Sequence, residues 1–182
     1  MSEITILLER ARAGDQGAWN RVIELLYDDL KRLARVRAEG ANATLNATGL
    51  VNECYMRLAQ AGSQSDVMDR GHFLALAARV MRQVLVDHAR KRLADKRGGR
   101  DERTTLSALD TSADVEADNL VSIDAALDRL AAIDPRFAQM IECRVFGGLS
   151  EEETALALDL PLRSTQRLWH KARESLRELL AK

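Results

Sequence analysis

The stretch GLSEEETALALDLPLRSTQRLWHKARESLRELL, from Gly148 to Leu180, holds two helix signals separated by a short break. Ser150 followed by Glu153 is a capping box, in which the serine oxygen accepts a helix amide and the glutamate reaches back to the serine amide. Glu151 and Glu152 add negative charge where the helix dipole is positive. A helix therefore starts at Ser150. It stops near Asp159-Leu160-Pro161, because proline cannot continue a helix but is tolerated in the first turn of the next one. Beyond this turn Leu162, Thr165, Leu168, Trp169, Ala172, Leu176 and Leu179 recur at helical spacing and predict an inward-packing stripe. The opposite face carries Arg163, Gln166, Arg167, His170, Lys171 and Arg173, with Ser164 beside them. Arg and Gln near the start of a second helix can bond base edges in a major groove, while Lys and His meet phosphates. A basic face on any one helix is more often plain solvated surface. The capped first helix and the tight turn beside it shift the reading to a DNA-binding helix-turn-helix.

Composition places this unit in an all-α chain. Aromatic residues make up 4% of the sequence and there are two prolines, against an abundance of Ala, Leu, Arg and Glu. A length of 182 residues accommodates one domain or two small ones. No apolar run approaches the roughly 20 residues needed to span a bilayer, and the N-terminal stretch lacks a signal-peptide core. A cytoplasmic protein without membrane insertion is expected. Cys54 and Cys143 lie far apart within helical patterns, which predicts buried free thiols over a disulfide or metal site.

A net charge of −1 is unusual for a DNA binder until it is divided along the chain. Residues 1–97 hold 16 Lys/Arg against 12 Asp/Glu, residues 98–122 hold 2 against 6, and residues 123–182 hold 9 against 10. The acidity is concentrated in the middle. That middle, GGRDERTTLSALDTSADVEADN (Gly98–Asn119), is polar and rich in small residues, and it predicts a flexible acidic linker over 98–122. Two small helical domains, 1–97 and 123–182, would flank it. In the first, Ile4, Leu7, Leu8 and Ala11 mark one helix, and Trp19, Val22, Ile23, Leu26, Leu30, Leu33 and Val36 mark a longer second. A third covers Leu45 to Ala61, apolar at Leu50, Val51, Cys54, Tyr55 and Leu58. After a polar loop, Phe73, Leu76, Ala77, Val80, Met81, Val84 and Leu85 define a long last helix from about Gly71, ending in the basic cluster Arg90-Lys91-Arg92 and Lys96-Arg97.

Taken in order, LVNECYMRLAQ (Leu50–Gln60), HFLALAARVMRQVLVDHARKR (His72–Arg92), an acidic linker and GLSEEETALALDLPLRSTQRLWHKARESLREL (Gly148–Leu179) resemble a bacterial extracytoplasmic-function (ECF) sigma factor. The resemblance covers nearly the whole chain. It implies a helical sigma domain two, a linker and a helix-turn-helix domain four, with core RNA polymerase and promoter DNA as partners and no cofactor. Members dock on the clamp of the β′-type polymerase subunit through a motif similar to DLVQE, here Gly49-Leu50-Val51-Asn52-Glu53. That implies Asn52 and Glu53 as docking residues, with Leu50, Met56 and Arg57 beside them. The resemblance also implies that Arg79, Arg82 and Gln83 face the downstream promoter element, and that His88, Lys91 and Arg92 contact phosphate. The loop Gly62–Arg70, with Gln64, Ser65 and Asp66, would hold a flipped base during strand opening. Domain four would read the upstream element through Arg163, Gln166 and Arg167.

The chain departs from the family pattern in three places. Where members carry an acidic quartet resembling DAED it has Asn46-Ala47-Thr48-Gly49, which removes three carboxylates and weakens attraction to a basic partner surface. Thr48, with Thr44 as a weaker candidate, lies where a phosphate would restore that charge near a helix N-terminus, which brings in a serine/threonine kinase in place of an anti-sigma factor. Asp159 sits at the turn position where glycine is usual, and Pro161 replaces a capping hydroxyl. Two other functions compete. A stand-alone repressor or activator would normally dimerise on palindromic half-sites. An enzyme is disfavoured because His72, His88 and His170 are scattered and no Gly-rich phosphate loop is present.

Overall fold

The structure, a computed structural model, describes residues 3–38, 46–61, 67–97 and 107–181, and every regular element among them is helical. Helices α1 (Glu3–Arg12) and α2 (Gln16–Leu25) form a hairpin. Gly14, at φ 98°, supplies the left-handed residue after α1, and the Asp15 carboxylate accepts the Ala18 amide at 3.0 Å to cap α2. The single second helix expected over Trp19–Val36 is in fact two, broken at Leu26, with α3 covering Tyr27–Ala38. The apolar spacing runs through the break undisturbed, so periodicity alone does not register it. Helix α4 (Ala47–Ala61) starts at Asn46, whose side chain accepts the Gly49 amide at 2.8 Å. Helix α5 (Arg70–Arg97) starts at Asp69, which accepts the His72 amide at 2.9 Å.

The expected flexible linker is corrected from Ser107 onward. There α6 (Ser107–Ile133) runs as one helix against α5, because Ala117, Leu127 and Leu130 bury at helical spacing and extend the apolar stripe back into the acidic segment. Residues 98–106 lie outside the described residues. Asp134 caps α7 (Pro135–Ile141), with proline in its favoured first position. The chain then enters a π-helical turn over Glu142–Phe146, closed by the Gly147 amide on the Glu142 carbonyl at 2.8 Å. Helices α8 (Glu151–Ala157) and α9 (Leu162–Leu180) complete the chain.

Two apolar cores organise these helices. Leu8, Trp19, Ile23, Leu30, Leu50, Leu58, Phe73 and Met81 fill the first, and Leu127, Leu130, Met140, Ile141, Phe146, Ala172 and Leu176 the second. The cores are not independent. Cys143, Leu149 and Ala157, from the C-terminal half, are buried in the first core, so the halves share an apolar contact with α5 as the common element. Both cysteines are buried free thiols, and burial pushes each thiol pKa up to about 12. No helix among the described residues is long and apolar enough to cross a membrane.

Candidate nucleic-acid interface

The helix-turn-helix is built as its local chemistry dictates. Ser150 Oγ accepts the Glu153 amide at 3.1 Å and Glu153 Oε2 accepts the Ser150 amide at 2.9 Å, completing the capping box. After Ala157 the chain turns through Asp159 at φ 51°, with the Leu160 amide on the Ala155 carbonyl at 2.9 Å and the Asp159 amide on Leu156 at 3.4 Å. This is a Schellman closure with aspartate in the left-handed position that glycine usually takes. Pro161 then begins α9 without a side-chain cap. Thr165, Ala172 and Leu176 are buried, and Leu168, Trp169 and Leu179 half-buried, against α6 and α7. Leu162, in the first turn of α9, departs from the expected stripe at 41% exposure.

The outer face of α9 is open. Arg163, Gln166, Arg167, His170, Lys171 and Arg173 are all exposed, and Ser164 is half-buried beside them. Gln166 donates to Glu151 at 2.9 Å, which ties the second helix to the first, and the Trp169 ring is approached by Arg173 at 5.7 Å and by Arg144 at 5.4 Å. A row of long donors on an unobstructed helix, backed by a capped partner helix, can enter a major groove.

On α4, Thr48, Asn52 and Met56 form one exposed ridge, each four residues from the last. Glu53 and Arg57 flank it and are both held by α5, with His88 Nε2 donating to Glu53 at 2.6 Å and Arg57 donating to Asp87 at 2.8 Å.

The family model for ECF sigma factor matches residues 1–182. The chain belongs to the ECF sigma factor family. As such it is a sigma factor that directs transcription initiation, with core RNA polymerase and promoter DNA as its partners. A comparison with curated proteins finds no match.

Several residues singled out in this sigma factor do not stand where its sequence suggests. Leu50 is buried at 1% exposure in the first core, so it supports α4 from beneath and has no surface to offer a partner. Arg82 is not turned to solvent. Its guanidinium meets Asp124 Oδ1 at 2.8 Å, Glu142 Oε1 at 2.8 Å and Asp128 Oδ1 at 3.1 Å, with its side chain only 14% exposed. Burial opposes this cation, but bonds to Glu142 and Asp124 outweigh it and hold its pKa above the usual arginine value. Arg92 is bonded to Asp114 at 2.8 Å, and His88 faces Glu53 instead of an open surface. Arg79, Gln83 and Lys91 are exposed as expected. Gln64, Ser65, Asp66 and Thr44 lie outside the described residues.

The sequence reading missed the partners of these cations. Asp114 lies in the acidic segment and was available as a signal only if that segment is read as helix, while Asp124 and Asp128, one helical turn apart on α6, lie just beyond it. Glu142 is brought inward by the π turn, which no sequence period announces. A second bridge also escaped notice. His72 Nε2 lies 2.9 Å from Asp159 and links α5 to the helix-turn-helix turn, while the buried Nδ1, 3.5 Å from Asp69, makes no hydrogen bond among the described residues. Asp69, His72 and Asp159 bring one ligand atom each within 4.8 Å of one another, near enough to approach one metal ion.

Proposed function

We propose that this sigma factor docks on the clamp of the β′-type polymerase subunit through the α4 ridge, and reads the upstream promoter element through α9 and the downstream element through α5. The observation that carries the reading is the exposed face of α9, where Arg163, Gln166 and Arg167 stand at the start of the second helix of a capped helix-turn-helix, with Gln166 bridging to Glu151. The alternative of a stand-alone regulator is separated by transcription from a genomic DNA library with purified core polymerase. Promoter-specific initiation that requires the protein supports the sigma reading, and DNA binding without such initiation rejects it.

Within domain four, base reading and phosphate binding should come apart by mutation. Arg167→Ala should cost about 1–3 kcal/mol of promoter affinity and relax preference at one base pair. Lys171→Ala should weaken binding evenly across sequences and reduce the salt slope by about 1. Binding to a library of upstream-element variants measures both, and a wild-type base preference in Arg167→Ala contradicts its role.

Thr48 is the proposed site of control. The first turn of α4 is capped by Asn46, which leaves the exposed Thr48 hydroxyl without that duty. It stands one turn before Asn52 on the docking ridge. A phosphate there would bring about −1.5 to −2 charges to a helix start and replace much of the carboxylate charge this sequence lacks. A serine/threonine kinase would then be the activator, in place of release from an anti-sigma factor. Thr48→Glu should transcribe several-fold better than unmodified wild type in a purified system, and equal output together with no phosphate on Thr48 in active cells rejects the switch.

A further inference from the structure

We propose that Asp69, His72 and Asp159 form a binding site for a divalent transition-metal ion of the Zn²⁺ type, which joins the start of α5 to the turn of the helix-turn-helix. One ligand atom from each residue lies within 4.8 Å of the other two. His72 Nε2 is 2.9 Å from Asp159 Oδ2, and Nδ1 is 3.5 Å from Asp69 Oδ1. Two ligands bonded at about 2.0–2.1 Å to one tetrahedral ion stand about 3.4 Å apart, so both separations are close to the edge of such a site. The rest of the gap closes by rotation of two carboxylates that keep much of their surface in solvent, 50% for Asp69 and 72% for Asp159.

The ring supplies a second, independent observation. A neutral imidazole has one N–H and one bare nitrogen. Nε2 meets a carboxylate at hydrogen-bond distance, but Nδ1 is buried and makes no hydrogen bond among the described residues. A buried ring nitrogen without a partner is costly, and an ion between the carboxylates is a partner it can take. Whichever ring nitrogen binds the metal, the other is left with an N–H facing a carboxylate, which is the arrangement that orients metal-ligating histidines. An imidazole beside two carboxylates suits Zn²⁺ over Mg²⁺, because nitrogen ligands favour transition metals. The two carboxylates also cancel the charge of the ion at the start of α5, where the helix dipole by itself disfavours a cation. Arg70, next to Asp69, does not compete for them, since its Nε and Nη2 are bonded to Asp29 at 3.0 and 2.6 Å. A cavity of about 590 Å³, bordered by His72, Leu76, Arg79, Leu158 and Asp159, gives the ion a way in and room for the waters that complete its coordination.

The turn offers a substitution that removes a ligand and keeps the fold. Asp159 stands at φ 51°, which glycine adopts without strain, so Asp159→Gly preserves the turn. The full chain, stripped of metal by a chelator, is titrated with Zn²⁺ and followed by calorimetry and by thermal melts. Wild type should take up one ion at this site and gain roughly 5–10 °C in melting temperature at free zinc a hundredfold above Kd. Asp159→Gly and His72→Gln should each weaken zinc binding about 10- to 100-fold and lose half or more of that gain. If His72→Gln loses helical circular dichroism, Asp159→Gly decides alone. Wild-type protein that takes up no zinc overturns the proposal, and so does a zinc affinity unchanged in Asp159→Gly. An equal gain in melting temperature with Mg²⁺ also overturns it, because carboxylates alone would then account for the binding.

Discussion

Charge reversal at Glu53 should remove most of the affinity of this sigma factor for core RNA polymerase. Loss of one partner from a close interfacial charge pair costs about 2–5 kcal/mol, roughly 30- to 5,000-fold in Kd. Glu53→Lys goes further and places a cation against a partner surface that the proposed docking requires to be basic. The carboxylate is held in place before docking, since His88 Nε2 fixes Oε1 at 2.6 Å and the helix beneath is anchored by Leu50, Cys54 and Leu58. Preorganisation of this kind lowers the ordering cost of binding. His88→Ala should therefore weaken docking by a smaller factor, by loosening Glu53 without removing its charge. The Glu53 side chain is 41% exposed, so the lysine variant should keep its helical content and melting temperature. Equilibrium titration of labelled sigma with core polymerase measures the effect, and a Kd unchanged in Glu53→Lys eliminates the α4 ridge as the docking surface.

Trp19→Ala should destabilise the N-terminal half by about 3–5 kcal/mol, the cost of an aromatic-sized cavity in a close-packed core. Trp19 is fully buried, packs against Phe73 with ring centroids 6.2 Å apart, and donates its indole N–H to the Leu58 carbonyl at 2.7 Å. That carbonyl belongs to the last turn of α4, where carbonyls turn to partners outside the helix. Trp19 thus ties α2 to α4 as well as filling space. In a chain of this size the loss corresponds to a melting temperature lower by roughly 10 °C. Trp19→Phe separates the two roles, because it retains much of the volume and leaves the carbonyl unpaired, for a loss of about 1–3 kcal/mol. Thermal melts followed by circular dichroism test both, and a shift below about 2 °C for Trp19→Ala contradicts the assignment of Trp19 as a core anchor.

Most of the helices were legible because the forces that place them are local. Ser150 and Glu153 find each other across one turn, Asp159 accepts left-handed angles, and the α9 stripe repeats at helical period, so the helix-turn-helix follows from neighbours in the chain. The same holds for the outer face of α9 and for the ridge through Asn52 and Met56. The errors have equally specific causes. The break at Leu26 leaves the apolar period intact, and the acid-rich start of α6 hides a stripe that only Leu127 and Leu130, farther on, make evident. Arg79 and Arg82 look alike in sequence, yet one is exposed and the other is bonded to Asp124, Asp128 and Glu142.

That last contrast divides what sequence and tertiary structure each decide in this sigma factor. Most helix positions, the capping box at Ser150, the turn at Asp159 and the basic character of the outer face of α9 come from residues within four or five places of one another, and the sequence by itself determines them. Which cations remain free to meet DNA depends on pairs such as Arg82 with Glu142 and Arg32 with Glu153, 60 and 121 residues apart. Only the packing of α6, the π turn and α8 onto α5 brings those groups within bonding distance. A charge acquires its role from the dielectric and partners around it, and these exist only once the chain has closed.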